Sequence, residues 1–257
     1  MLMKFLAGFF TCFSLYSAIP VPQFKWEKGS MQYALCFFPL IGVIIGSLQL
    51  LWYWLCVANT LSGVLFAAVA ALLPLLVTGG IHMDGFIDTV DALSSHAVRE
   101  KKLEILQDPH VGAFGIIGCA GYLLLQFGLW HQIYEIPTLV ALPAISGILS
   151  RALNGLSIAI FPTAKSSGLV HLFAENAEKK VVVAVCAAFT AAACALSMCV
   201  CVIWGGVMTV LAGALFLLHL RFCTWEFGGN TGDLAGFLLL NVELLCLFTA
   251  VLGGILS

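Results

Sequence analysis

The sequence predicts an all-α protein, a polytopic integral membrane helical bundle of about eight transmembrane helices, and three observations carry that prediction. Of 257 residues, 61% are hydrophobic and only 9% charged, whereas a soluble domain carries roughly a quarter charged residues. Eight nearly uncharged stretches approach or reach the roughly 20 residues that a helix needs to cross the hydrocarbon core. They are 5–19, 33–57, 61–78, 113–134, 137–160, 181–203, 205–220 and 234–256. The basic residues, finally, gather in alternate connections between those stretches.

Segment 5–19 follows Lys4 and ends on Tyr16-Ser17-Ala18, a pattern that a signal peptide and a first membrane helix share. Because the chain stays apolar nearly throughout, it reads as a first crossing. This segment and 205–220 are the short ones, so the count falls to seven if one of them is re-entrant. Trp52, Tyr53, Trp54, Trp130, Tyr134 and Trp204 lie near the expected helix ends, where amphipathic rings favour the membrane interface. The whole chain, 1–257, reads as a single integral membrane domain.

With eight crossings, the connections 20–32, 79–112, 161–180 and 221–233 share one face. They hold Lys25, Lys28, Arg99, Lys101, Lys102, Lys165, Lys179, Lys180 and Arg221, nine of the eleven basic residues. The positive-inside rule then places these four loops in the cytoplasm and both termini outside. A net charge of −2 offers no general attraction for nucleic acid, so an anionic substrate must be met by a few placed cations or by a metal. The ten cysteines are scattered through or beside apolar runs with no CxxC, and read as small hydrophobes rather than redox or metal groups.

The loop 79–112 is too long for a mere connection. It carries Asp84, Asp88, Asp91, Glu100, Glu104 and Asp108, six of the thirteen acidic residues. On a helix, Asp84, Asp88 and Asp91 fall within about 60° of one another, so all three carboxylates share one face. Their mutual repulsion calls for a cation, and hard oxygen ligands favour Mg²⁺ or Mn²⁺, which is commonly completed by substrate phosphates. His82 lacks a second histidine at ligand spacing, which argues against zinc; it hydrogen-bonds a phosphate or orients an aspartate. Gly79-Gly80 permits a tight exit from the preceding helix and leaves backbone N–H groups for a phosphate at the next one. Asp108, before Pro109, is either a further ligand or a cap.

A second polar cluster follows the seventh segment: Arg221, Glu226 and Gly228-Gly229-Asn230-Thr231-Gly232-Asp233. Its Gly-Gly-x-x-x-Asp spacing repeats that of Gly79-Gly80-x-x-x-Asp84. Either the chain is a four-plus-four duplication whose two turns face one substrate, or these are two unrelated glycine turns. In the first reading Asn230, Thr231 and Asp233 meet the substrate, and Asp233 adds a metal ligand. Arg151 lies inside the fifth segment, about 14 Å from its cytoplasmic end. An intramembrane arginine needs a partner, here Glu243 or a substrate phosphate.

These residues carry a resemblance. Thr78-Gly79-Gly80-Ile81-His82-Met83-Asp84-Gly85-Phe86-Ile87-Asp88-Thr89-Val90-Asp91 resembles the signature of the cobalamin synthase family, the adenosylcobinamide-GDP ribazoletransferases. Further similar stretches run in the same order along nearly the whole chain: Ile19-Pro20-Val21-Pro22, Phe38-Pro39-Leu40-Ile41-Gly42, Leu103-Glu104-Ile105-Leu106-Gln107-Asp108 with Val111-Gly112, Ser150-Arg151, Gly168-Leu169, and Gly228 to Asp233. The chain departs from the family pattern at Phe237 and Leu240, where alanine and glutamate are usual, and at Gln107, where a basic residue is expected.

The resemblance implies attack of the α-ribazole 5′-hydroxyl on the phosphorus attached to adenosylcobinamide, with release of GMP and formation of adenosylcobalamin; α-ribazole 5′-phosphate would give the phosphorylated product. It implies a multi-pass protein of the cytoplasmic (inner) membrane of a prokaryote, with its active site facing the cytoplasm. Arg151, Lys165 and Arg221 become candidate phosphate clamps beside the metal-binding aspartates. Two other readings compete. A CDP-alcohol phosphotransferase would share Gly80, Asp84 and Asp88, but its upstream acidic half has no counterpart in the uncharged stretch 61–77. A secondary transporter would place its coupling charges near the bilayer midplane, where this chain has only Arg151 and Glu243.

Overall fold

The computed structural model describes residues 2–22, 31–165 and 168–256. Lys25 and Lys28, counted among the basic loop residues, lie outside these. Each of the eight apolar segments forms a helix: α1 (Leu2–Tyr16), α2 (Phe38–Ala58, preceded by a 3₁₀ turn Ala34–Phe37), α3 (Gly63–Thr78), α6 (Ala113–Tyr134), α7 (Ala141–Ile160), α9 (Lys179–Val200), α10 (Val202–Phe222) and α11 (Gly232–Leu256). Among the described residues there is no strand, only an isolated parallel bridge between Thr163 and Asn230.

Six of these helices are long and apolar enough to cross a membrane, α2 with its leading turn among them. The seventh segment, expected to be short, is one of them, because its helix extends at both ends to Val202 and Phe222. α1 stays at 15 residues. α3 reaches a seventh crossing only together with α4 (Ile81–Ser94), which turns away from it by 98°.

The connection 79–112 is therefore mostly helical rather than an extended loop, consisting of α4 and α5 (Arg99–Ile105). The bend rests on Gly79 and Gly80, with φ of 64° and 80°, values that side-chain-bearing residues rarely adopt. Both of their N–H groups still reach Leu75 O, closing α3 before α4 starts.

α7 and α11 form the centre of the bundle and are mostly buried, whereas α6, α9 and α10 lie at its periphery and turn leucine, isoleucine and valine outward. Helices in lipid gain little from burying apolar surface against one another, so close packing depends on small residues. α2 and α7 show this, because a Cβ on Gly42 would fall 2.0 Å from Gly147 O and one on Gly46 2.2 Å from Ala144 O.

Arg151 is fully buried in α7 and donates from one guanidinium nitrogen to Glu243 Oε1 of α11 at 2.6 Å and to Gly147 O at 3.0 Å. Ser150 Oγ donates to the same Glu243 oxygen at 3.1 Å. Of the two partners expected for this arginine, the structure supplies the carboxylate. It serves to join the two central helices.

The polar connections are tied to one another at one end of the bundle. Arg99 donates to Trp225 O at 2.8 Å, Lys102 pairs with Glu226, Ala18 N–H reaches Val77 O at 2.8 Å, and Glu178 N–H reaches Gln32 O at 3.0 Å. Segments separated by more than a hundred residues thus share a face, as the loop charges require.

Candidate active site

α4 and α11 approach until their backbones touch. A Cβ on Gly85 would lie 2.7 Å from Asp233 Cα, and one on Gly236 would lie 2.9 Å from His82 O. These two glycines bring the first acidic motif and the start of α11 together across the bundle end. Thr231 caps α11 by accepting from Leu234 N–H at 3.2 Å, the usual service of a threonine at this position. Gly228 and Gly229, with φ of 79° and 155°, turn the chain into that cap.

The segment after α7 is fastened to the same turn. Asn230 N–H donates to Pro162 O at 2.6 Å and Ala164 N–H donates to Asn230 O at 3.0 Å. A Cβ on Gly229 would meet the backbone of Pro162 to Ala164 at 2.6 Å, so the turn needs glycine there. The consequence is that Lys165 and Asp233 share one cavity of about 280 Å³, whose wall also includes His82, Asp84, Asn230 and Thr231. Burial pulls the Lys165 ammonium below its usual range, and the charge of Asp233 opposes that pull.

Asp88 lies half-buried one turn beyond Asp84. Burial, then the charges of Asp84, Asp233 and Asp91, raise its carboxyl to about 7. Asp84 and Asp233 come from the two separate Gly-Gly-x-x-x-Asp turns, yet both line one cavity and the charges of both act on Asp88. The two turns are spatial partners.

Several expected site residues do other work. Asp91 does not join Asp84 and Asp88 around a common ion: its two oxygens accept from Gly112 N–H at 2.7 Å and Gly115 N–H at 2.8 Å, capping α6. The helix spacing put Asp91 on the right face, but the start of α6 packs over it so closely that a Cβ on Gly112 would lie 2.4 Å from its carboxylate. Asp108 is exposed and accepts from His110 N–H at 2.9 Å in a turn before α6; that bond holds its carboxyl below the usual range. Gly79 and Gly80 form the bend and do not line the cavity. Arg151 is engaged by Glu243, and Arg221 is exposed at the end of α10, outside the cavity wall.

The wall contains residues that no motif marked: Tyr16 of α1, Asn154 of α7, and Thr163 and His171 around the α7–α8 connection, α8 spanning Leu169–Asn176. Asn154 carried one legible signal, a polar residue one helical turn from Arg151 within an apolar segment. Tyr16 carried none.

Among the described residues, no three His, Cys, Asp or Glu side chains are arranged to hold one ion. What stands at the mouth is a set of hard oxygen donors from α4 and α11 with a lysine opposite. Burial first, and then repulsion from Asp84, Asp233 and Asp91, raises the Asp88 carboxyl; a divalent cation relieves the repulsive part, and Mg²⁺ typically takes one or two carboxylates and draws the rest from substrate phosphates and water. The donor set fits such an ion.

Fold and site together define a class, a multi-pass helical membrane protein with an acidic, oxygen-lined cavity at one end of its bundle. The family model described as cobalamin-5-phosphate synthase matches residues 8–251. The chain belongs to that family. It is 41% identical to an adenosylcobinamide-GDP ribazoletransferase of Lachnoclostridium phytofermentans over 95% of this chain and 92% of the relative. Relatives of the same name in Clostridium botulinum and Treponema denticola are 31% and 32% identical, each over 95% of this chain and 97% of theirs. No solved structure matches the chain.

Proposed function

We propose that this protein is an adenosylcobinamide-GDP ribazoletransferase, which joins adenosylcobinamide phosphate to α-ribazole, or to α-ribazole 5′-phosphate, and releases GMP in the last assembly step of the cobalamin nucleotide loop. The observation that carries the reading is the meeting of Asp84 with Asp233 and Lys165 at one cavity, Asp88 lying one turn along α4 outside its wall, in a chain that matches the family along nearly its whole length.

In this reaction a ribose hydroxyl oxygen of α-ribazole forms a bond to the phosphorus next to cobinamide, the bond from that phosphorus to the GMP oxygen breaks, and the hydroxyl proton leaves; because α-ribazole 5′-phosphate is taken as well and keeps its phosphate, the attacking oxygen is a ring hydroxyl and not the 5′-oxygen. A carboxylate among Asp84, Asp88 and Asp233 accepts that proton. Lys165, half-buried and pulled down by desolvation, gains most from an anion beside it and meets the diphosphate. These carboxylates would hold Mg²⁺ or Mn²⁺, which would supply neutralisation of the diphosphate and of the charge developing on GMP. The Gly85–Asp233 contact fixes the two acidic turns relative to each other, so little reorganisation is needed during transfer.

The connections 79–112, 161–180 and 221–233, which meet at the cavity end, face the cytoplasm of a prokaryotic cell, with the apolar faces of α6, α9 and α10 in the lipid. The test is turnover by the purified full-length protein in detergent or nanodiscs, supplied with adenosylcobinamide-GDP, α-ribazole and Mg²⁺. Formation of adenosylcobalamin with one GMP per product supports the reading; no product with any divalent ion would overturn it.

A further inference from the structure

α10 does not run as an α-helix into the second acidic turn. Its end widens into a single π-helical turn, Cys223–Phe227, before Gly228 and Gly229 lead on to Asp233. Such a turn is rare and tends to be kept where function needs it. It takes up one residue more than an α turn, which at 3.6 residues per turn re-aims the chain after it by about 100°. Where the Asp233 turn starts therefore depends on these five residues keeping their register.

What grips them from outside belongs to the first acidic connection. Gly228 N–H reaches Thr224 O at 3.2 Å and Gly229 N–H reaches Cys223 O at 3.0 Å, and the next carbonyl, Trp225 O, is taken by Arg99 of α5 at 2.8 Å. The same guanidinium packs over Gly228, where a Cβ would lie 3.5 Å from Arg99 Cδ and Nη1. One turn along α5, Lys102 pairs with Glu226. Beneath both cations, Leu106, Cys223, Phe227 and Leu234 form a buried apolar cluster with Ala92 of α4. The clamp thus reaches from α5 to the neighbour of Asp233.

Arg99 is exposed, so water can replace its bond and its loss costs the fold little. Its effect is on geometry. We propose that Arg99 and Lys102 are positioning residues for the transfer: they hold the Cys223–Phe227 turn in its π register and thereby set Asp233 against Asp84. This rests on the transferase reading above. Neither cation lines the cavity; both act through the turn. The connection 79–112 then supplies one acid from α4 and, from α5, the clamp that registers the other.

The experiment takes the full-length protein in nanodiscs and compares wild type with Arg99→Ala, Arg99→Lys, Lys102→Ala and the exchanged pair Lys102→Glu with Glu226→Lys. Melting temperature, hydrogen exchange over 223–234 and Mn²⁺ binding are measured without substrate, and kcat and KM with it. Arg99→Ala should melt close to wild type, exchange about tenfold faster over 223–234 and bind Mn²⁺ about tenfold more weakly. Its kcat should fall about tenfold to a hundredfold, the effect of a misplacement of about an ångström, with KM for α-ribazole unchanged. Arg99→Lys keeps a donor for Trp225 O and should recover most of this, and the exchanged pair should exceed Lys102→Ala in kcat. Arg99 carries the test if Lys102→Ala fails to assemble. Wild-type exchange and Mn²⁺ binding in Arg99→Ala would overturn the clamp, as would a loss of kcat that only follows the melting temperature and is not recovered by Arg99→Lys. A wild type that makes no adenosylcobalamin fails the transferase reading by itself, and the substrate-free measurements then decide the clamp alone.

Discussion

Gly85 of α4 and Asp233 of α11 are in backbone contact, with Asp233 Cα only 2.7 Å from where a Cβ on Gly85 would lie. This contact joins two acidic turns about 150 residues apart in the chain, and the site depends on it.

Gly85→Ala should therefore push α4 from α11. Backbone lies opposite, so the clash cannot be relieved by a side-chain rotation, and overpacking of this kind costs about 1–3 kcal/mol. Thermal unfolding in detergent should show that loss, and transfer activity should fall further than stability, with Gly85→Leu worse in both.

Asp84→Asn and Asp233→Asn should each lower transfer by about a hundredfold or more while leaving the protein in the membrane at normal levels. The double variant should be scarcely worse than either single, because groups that act as one unit are not additive. Assays across this cycle with Mg²⁺ varied check it; near-normal activity for Asp233→Asn would reduce the second turn to a plain loop.

The pH dependence at Asp88 has a definite sign. Its carboxyl is raised from 3.8 to about 7 in the fold, so the folded state holds a proton that the unfolded state releases, and ionising it opposes folding. Stability associated with the protonated form is full below about pH 4 and is lost as pH rises through about 7. With divalent ions chelated, Asp88→Asn should gain stability over wild type as pH rises across that window and hold the gain above it. A difference in melting temperature that does not change between pH 5 and 8 would contradict this.

Arg151 and Glu243 are a buried pair, so removing one partner should destabilise by about 3–5 kcal/mol, whereas replacing both with leucine should recover much of the loss. If Arg151 held a substrate phosphate instead, the double variant would remain inactive although folded. Unfolding and KM for adenosylcobinamide-GDP, measured across this cycle, separate the two roles.

The face on which the polar connections meet should be cytoplasmic. An epitope inserted between Gln107 and His110, all exposed positions, should be reached by antibody only after the membrane is opened.

Much of the fold was legible because a bilayer imposes one-dimensional rules. Apolar length marks a crossing, and the distribution of lysine and arginine marks a side, so every predicted segment is a helix and the connections 79–112, 161–180 and 221–233 meet at one end. The site was legible in part. The repeated Gly-Gly-x-x-x-Asp spacing pointed to Asp84 and Asp233, and both line the cavity. Asp91 and Asp108 have the same chemistry and similar spacing, yet one caps α6 and the other closes a turn. Local sequence does not distinguish a carboxylate facing a ligand from one facing a backbone N–H.

From the sequence alone followed the class of protein, the helical segments, the shared face of the polar loops and the acidic motif, since hydrophobic length, charge asymmetry and helical period act along the chain. Tertiary structure alone decided which acids meet, that Arg151 spends its charge on Glu243, and that Tyr16 and Asn154 reach the same wall as His82. Those outcomes depend on where glycines let helices touch: Gly85 on Asp233, Gly236 on His82 and Gly42 on Gly147. A close approach of two backbones is a property of pairs distant in sequence, and neither member of a pair reveals it by itself.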